Sequence, residues 1–177
     1  VSSLIEEWHV QLPGAHHSVS ITGGEPLLHA DALVEWFPEI RKLLPIHLET
    51  NGTMPDALRN VKQHLDYISM DLKLPSTAGC TEHLWDVHAL FLREAHGYNV
   101  SVKVVIGEST SADEIMRVCT VIASVDKAIP LFLQPVTLPG GAVGITAARI
   151  LHLHALASFR LPDVRVIPQM HLLLGAL

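Results

Sequence analysis

The sequence has 177 residues, the size of one domain and too short for two full-sized ones. Twelve Lys and Arg against eighteen Asp and Glu give a formal charge of −6, which offers no basic footprint for nucleic acid or an anionic membrane. Apolar residues make up 49% and charged residues 17%, a balance that supports a buried core and excludes a disordered chain.

Helical and extended patterns alternate along the chain. Ser3 and Glu6 have the spacing of a capping box at the start of a first helix. A β-branched run follows at 18–22, SVSIT. The second helix carries Leu33, Trp36, Phe37, Ile40 and Leu44 on one face. Pro38 within it is expected to remove a hydrogen bond and bend the helix. A strand is predicted at 45–50 and a third helix from Pro55, where proline suits a first turn. After a strand at 66–72, the fourth helix shows Leu84, Val87, His88, Phe91 and Ala95 along one face. The strand at 99–106 leads to a helix opened by Ser111 and Glu114, again a capping-box spacing, with Ile115, Val118 and Ile122 behind it. A strand at 129–136, a helix over 145–160 and a strand at 163–168 complete the series.

Repeated strand–helix alternation predicts an α/β fold with a parallel sheet covered by helices, in one domain spanning 1–177. Right-handed crossovers leave two forms open, a sheet curling toward a barrel and an open doubly wound layer. In both, chemistry belongs at the carboxyl ends of the strands. A barrel also expects a strand before the first helix. No apolar run approaches the ~18 residues that cross a bilayer. The opening VSSLIEEWHVQ lacks the profile of a secretion signal. Two cysteines, Cys80 and Cys119, are too few for a disulfide framework, so the cytoplasm is the expected compartment.

Polar residues gather at the predicted strand ends. The first strand ends in Thr22-Gly23-Gly24-Glu25-Pro26. Two glycines let backbone approach a ligand or take positive φ, and Glu25 can accept from an ammonium group. The alternative is a tight βα turn with an exposed acid. Glu49-Thr50-Asn51-Gly52-Thr53 ends the second strand, where Asn-Gly between strand and helix serves either a ligand or a cap. Asp71 and Lys73 share parity and face one side, as ligand contacts or as an internal ion pair. Gln134-Pro135 ends the fifth strand, and Gln169 and His171 follow the sixth.

Lys103 within the fourth strand is either a Schiff-base nucleophile or a lysine reaching to solvent. Twelve histidines raise the question of metal, but their spacings do not support zinc. His152 and His154 are two apart on a helix and diverge, and neither HExxH nor CxxC occurs. His88, on an apolar face, reads as a core histidine.

TGGEPLL, LETNGT, SMDLKLPS, VKVVI, LQPV and VRVIPQMHLLLG, in this order, resemble the radical S-adenosylmethionine enzymes, and within them the 7-carboxy-7-deazaguanine synthases of queuosine-type deazapurine biosynthesis. The resemblance runs from about residue 17 to the end. It implies a partial (β/α) barrel and a cytoplasmic lyase that converts 6-carboxy-5,6,7,8-tetrahydropterin to 7-carboxy-7-deazaguanine with loss of ammonia. Reductive cleavage of S-adenosylmethionine would start the reaction with a 5′-deoxyadenosyl radical. Gly23, Gly24, Glu25, Pro26, Asp71, Lys73, Gln134 and Pro135 are then expected at the cofactor. Thr22, Glu49, Asn51 and His171 are expected at the pterin. Magnesium, a flavodoxin or ferredoxin reductant and a homodimer also belong to the implied picture.

The resemblance further implies a [4Fe–4S] cluster held by a CxxxCxxC-type loop after a first strand. Cys80 and Cys119 cannot form that motif, and Leu172 stands where relatives often carry lysine. The expectation is therefore an enzyme portion lacking its first strand and cluster ligands, with no metal site of its own, inactive alone. Rival readings are a radical activase with another substrate, an aldolase using Lys103 or Lys73, and a non-catalytic cofactor-binding remnant.

Overall fold

A computed structural model describes residues 2–11, 14–79 and 84–170. The elements run α1 (Ser2–Gln11), β1 (Val19–Ile21), a 3-10 turn (Pro26–His29), α2 (Ala30–Arg41), β2 (Ile46–Thr50), α3 (Pro55–Val61), β3 (Tyr67–Asp71), α4 (Pro75–Ala78), α5 (Leu84–Ala95), β4 (Asn99–Ile106), α6 (Ala112–Ala123), β5 (Leu131–Pro135), α7 (Ala147–Ser158) and β6 (Val164–Val166). No helix among the described residues is long and apolar enough to cross a membrane.

The six strands among the described residues are all parallel and lie in chain order, β1-β2-β3-β4-β5-β6. That order decides between the two predicted forms. A doubly wound layer reverses direction part-way through its strand order, and this sheet never does. It is an open arc of parallel strands with β1 and β6 at its edges, a partial (β/α) barrel.

Strand alternation sorts the side chains onto two faces. Ile46, Leu48, Ile68, Met70, Val102, Val104, Leu131 and Leu133 are fully buried or nearly so, in one core with the helices. The other face carries His47, Glu49, Ser69, Asp71, Ser101, Lys103, Phe132 and Gln134. Parallel sheets are ordinarily apolar on both faces because both are covered. A polar face on such a sheet therefore marks where something other than a helix belongs.

The helices follow their sequence signals with local exceptions. Ser111 and Glu114 form the reciprocal capping box of α6, and Ile115, Val118 and Ile122 are buried behind it. Pro55 occupies the first turn of α3. Helix α2 runs on through Pro38, which lies on the exposed face, where water can take the carbonyl that the missing N–H leaves behind. Leu33, Phe37 and Ile40 of α2 are buried as expected, whereas Trp36 is 51% exposed. It stands one position before Phe37, about 100° away around the helix, and so outside the narrow buried stripe. In α5 the buried set is Trp85, His88, Phe91, Leu92 and Ala95, with Leu84 and Val87 only half-buried. The face is rotated toward Trp85, whose ring also carries the Arg117 guanidinium at 5.0 Å. Ser3 lies inside α1 rather than at its cap.

Candidate active site

Two loops are tied together at the carboxyl ends of β1 and β2. Gly23 and Gly24 take φ of +97° and +58°, which L side chains rarely adopt. A Cβ added at either would meet nothing within 4 Å, so the loop presents bare backbone to open space. Next to it, Glu25 turns its carboxylate inward along the chain. Oε1 accepts from the Thr50 hydroxyl at 2.7 Å and from the Leu27 N–H at 3.1 Å, and Oε2 accepts from the Asn51 N–H at 2.7 Å. Glu25 thus caps the 3-10 turn and clamps the end of β2.

The ETNGT loop is fixed from within. Asn51 Oδ1 accepts from the Thr53 N–H at 3.0 Å and from the Thr53 hydroxyl at 2.6 Å. That turn uses the oxygen of the amide and leaves its nitrogen end for other partners. Below, the buried His88 of α5 bonds through Nε2 to the Asn51 carbonyl at 3.1 Å. Since a carbonyl only accepts, Nε2 carries the proton. Burial pushes the His88 imidazole down to about 4, so it is neutral at pH 7. The expected core histidine is therefore also the support of this loop.

Asp71 ends β3 and faces both lysines. Its Oδ2 accepts from Lys73 Nζ at 2.7 Å and lies 3.5 Å from Lys103 Nζ. Asp71 and Lys73 lie on one side of their strand, as their shared parity requires, with Leu72 and Leu74 buried on the other. Asp71 Oδ1 is buried without a hydrogen-bond partner, an acceptor left over at the edge of the site.

These groups surround a cavity of about 720 Å³. Thr22, Gly24, Glu49, Asn51, Asp71, Lys73, Lys103, Gln134 and Gln169 line it, together with His47, Ser69, Ser101 and Phe132, which also line a second cavity of about 600 Å³ beside Tyr67 and Asn99. Ligand sites are typically ~300–1,000 Å³, so the space suits small molecules. Glu49 is exposed into it rather than buried.

Residues 3–122 match the radical SAM superfamily. Over all 177 residues the chain is 49% identical to the 7-carboxy-7-deazaguanine synthase of Geobacter sulfurreducens, covering 70% of that protein. The chain belongs to the 7-carboxy-7-deazaguanine synthase family. A second member, from Methanothermobacter thermautotrophicus, is 34% identical across 90% of this chain and 70% of the relative. A protein from Methanocaldococcus jannaschii named as a glycyl-radical enzyme activating enzyme is 34% identical over only 59 residues, 32% of this chain and 25% of its own.

Among the expected residues, the cavity of this 7-carboxy-7-deazaguanine synthase family member brings together Thr22, Gly24, Glu49, Asn51, Asp71, Lys73 and Gln134. Gly23 and Glu25 lie in the adjoining loop, with the Glu25 carboxylate engaged by the chain itself. Pro26 and Pro135 are buried, Pro26 at the start of the 3-10 turn and Pro135 on the strand face opposite Gln134. His171 and Cys80 fall outside the described residues. His47, Ser101 and Phe132 line the cavity without having been expected there. They share the parity of Glu49, Lys103 and Gln134 on their strands, and that periodicity was the available signal.

The superfamily uses S-adenosylmethionine and a [4Fe–4S] cluster, and the residues fit these groups differently. The bare glycine backbone, the leftover Asp71 acceptor and the polar lining suit a zwitterionic nucleoside. Cys119 does not suit a cluster. Burial pushes the Cys119 thiol up to about 11, away from the thiolate form that iron requires.

Proposed function

We propose that this chain forms the cofactor- and substrate-binding part of an enzyme that makes 7-carboxy-7-deazaguanine from 6-carboxy-tetrahydropterin by carbon–nitrogen lyase chemistry. The observation that carries the reading is convergence. Residues from the ends of β1, β2, β3 and β5 and from the middle of β4 meet around one cavity, in a chain 49% identical to a relative of that name.

S-adenosylmethionine, when bound, supplies hydrogen-atom abstraction chemistry. The chain's own residues bind and orient. Gly23 and Gly24 offer backbone to the amino-acid end of the cofactor, with Asp71 as an acceptor for its ammonium group and Lys73 as a donor for its carboxylate. Gln134, on the neighbouring wall, completes that side. Thr22, Glu49 and Asn51 face the pterin, and His171, outside the described residues, is a further contact in this proposal by its family resemblance alone. Glu25 acts one step back, holding Asn51 and Thr50 in register.

Among the described residues no group of His, Cys, Asp and Glu could hold a metal, and in this proposal thiolates elsewhere complete the enzyme and its reductant contact. Magnesium, a homodimer and a cytoplasmic location are further parts of this proposal. The activase reading draws on a match to one third of the chain and has less support. Equilibrium dialysis tests the proposal with S-adenosylmethionine and 6-carboxypterin, a stable oxidised analogue. Saturable binding of both is expected, and failure to bind either overturns it. The chain alone, after anaerobic iron–sulfide reconstitution, is expected not to cleave the cofactor. Turnover by these 177 residues would contradict that part.

A further inference from the structure

We infer that His47, Ser69 and Ser101 form an uncharged hydrogen-bonding floor that holds the polar edge of a flat, neutral heterocycle. The inference rests on the small-molecule reading above and adds where the ring of the substrate sits.

The cavity lining holds two kinds of polar group. Glu49, Asp71, Lys73 and Lys103 carry formal charges. Beside them, and shared with the second cavity, the inner face carries one hydrogen-bonded chain across four strands. Ser20 Oγ lies 3.5 Å from His47 Nδ1, His47 Nε2 lies 2.7 Å from Ser69 Oγ, and Ser69 Oγ lies 3.3 Å from Ser101 Oγ. Every member is uncharged when the imidazole is neutral. Burial favours that state by pushing the His47 pKa below its ordinary value, against a smaller opposing effect from Glu49.

Such a chain has no fixed polarity. Each hydroxyl can donate or accept, and the neutral imidazole donates from whichever nitrogen its tautomer protonates. Ser69 bonds to both neighbours, whereas Ser101 stands at the end of the chain with capacity for a ligand atom. A ring edge that mixes donors and acceptors, as amino-oxo heterocycles do, can be matched by rotating hydroxyls without moving backbone. Phe132 beside the floor offers a flat apolar wall, and the Tyr67 ring meets His47 edge-on at 6.2 Å and 79°. Three polar groups in mid-strand of a parallel sheet serve no packing purpose, since apolar residues would fill the same space without desolvation cost.

The test compares His47→Phe, which keeps a flat ring and removes both nitrogens, with His47→Asn, which keeps one donor and one acceptor. The full chain is titrated with 6-carboxypterin, guanine and S-adenosylmethionine, and its thermal midpoint is recorded. His47→Phe takes away the partner that orients Ser69 and, through it, Ser101; it is expected to weaken 6-carboxypterin about tenfold, the scale of one hydrogen bond, and His47→Asn to restore most of it. Cofactor binding and the thermal midpoint should stay near native in both variants. A native chain that ignores 6-carboxypterin but binds guanine in the same His47-dependent way keeps the floor and discards the pterin. Native-like heterocycle affinity in His47→Phe, equal losses of cofactor and heterocycle, or no heterocycle binding by the native chain each overturns the inference.

Discussion

Glu25 holds the Thr50 hydroxyl at 2.7 Å although the two residues lie 25 positions apart. One carboxylate thereby joins the glycine loop after β1 to the loop after β2. Replacing it by alanine strands the Thr50 hydroxyl, which is buried, and the Asn51 N–H. Hydrogen bonds to charged groups are worth about 1.5–3 kcal/mol each in net terms, and partial exposure here favours the low end. Glu25→Ala is expected to lower stability by about 2 kcal/mol and to weaken both ligands together. Urea unfolding with parallel dialysis checks this, and a variant that loses cofactor alone would show that Glu25 meets the cofactor directly.

Acid should loosen the same loop from below. The His88 pKa is depressed from 6.5 to about 4 in the folded chain. In the unfolded chain the imidazole takes its proton near 6.5, so the unfolded state binds more protons throughout that window. The stabilisation is complete above pH 6.5 and is lost as pH falls toward 4. A shift of that size corresponds to about 3 kcal/mol. His88→Gln keeps an amide donor for the Asn51 carbonyl but does not titrate. Its stability should fall less between pH 7 and 4 than that of the native chain. Parallel curves from chemical denaturation at each pH would remove His88 as the cause.

The fold was legible because its signals are periodic and local. The β-branched runs, the Ser111–Glu114 box and Pro55 each carry their own physical reason, and each falls where expected. Trp36 misled because a helical face is judged only to about one residue's rotation, and a large apolar side chain beside Phe37 is indistinguishable from it in pattern. At the site, residues ending strands were visible in the sequence, since parallel topology gathers strand ends by construction. The contacts were not. Whether Glu25 turns to a ligand or to Thr50 depends on how two loops 25 residues apart meet, and no local signal encodes that. His47 was hidden for another reason. Its neighbours Ile46 and Leu48 read as an ordinary strand, and its partners Ser69 and Ser20 lie 22 and 27 positions away.

Asp71 separates two lysines that otherwise repel. With Lys73 at 2.7 Å and Lys103 at 3.5 Å, the cluster carries one net positive charge at the cavity wall. Their partial exposure keeps the pairing energy small, within about 1 kcal/mol. Asp71→Asn should therefore barely change stability. It should weaken S-adenosylmethionine severalfold, because it removes the negative charge proposed to meet the ammonium group. Lys103 is paired to the Asp71 carboxylate at 3.5 Å in a cavity lined by other polar side chains. Borohydride with a carbonyl compound is expected to trap no adduct at Lys103, and a reducible adduct there would revive the aldolase reading.

Gly52 gives the most local test of how the ETNGT loop is built. Its φ of +67° disfavours any L side chain, and an added Cβ would sit 2.7 Å from both Cγ and Cε of Met70. Met70 is fully buried, so its thioether has little room to yield. The left-handed backbone alone costs about 1–2 kcal/mol, and the overlap adds to it. Gly52→Ala should lower the thermal midpoint by several degrees and weaken 6-carboxypterin, since Asn51 immediately precedes it. Gly52→Ala combined with Met70→Ala separates the two causes. The double variant keeps the backbone strain and removes the overlap, so its Gly52 substitution should cost less than in the native background. An unchanged cost would place the whole penalty in the backbone.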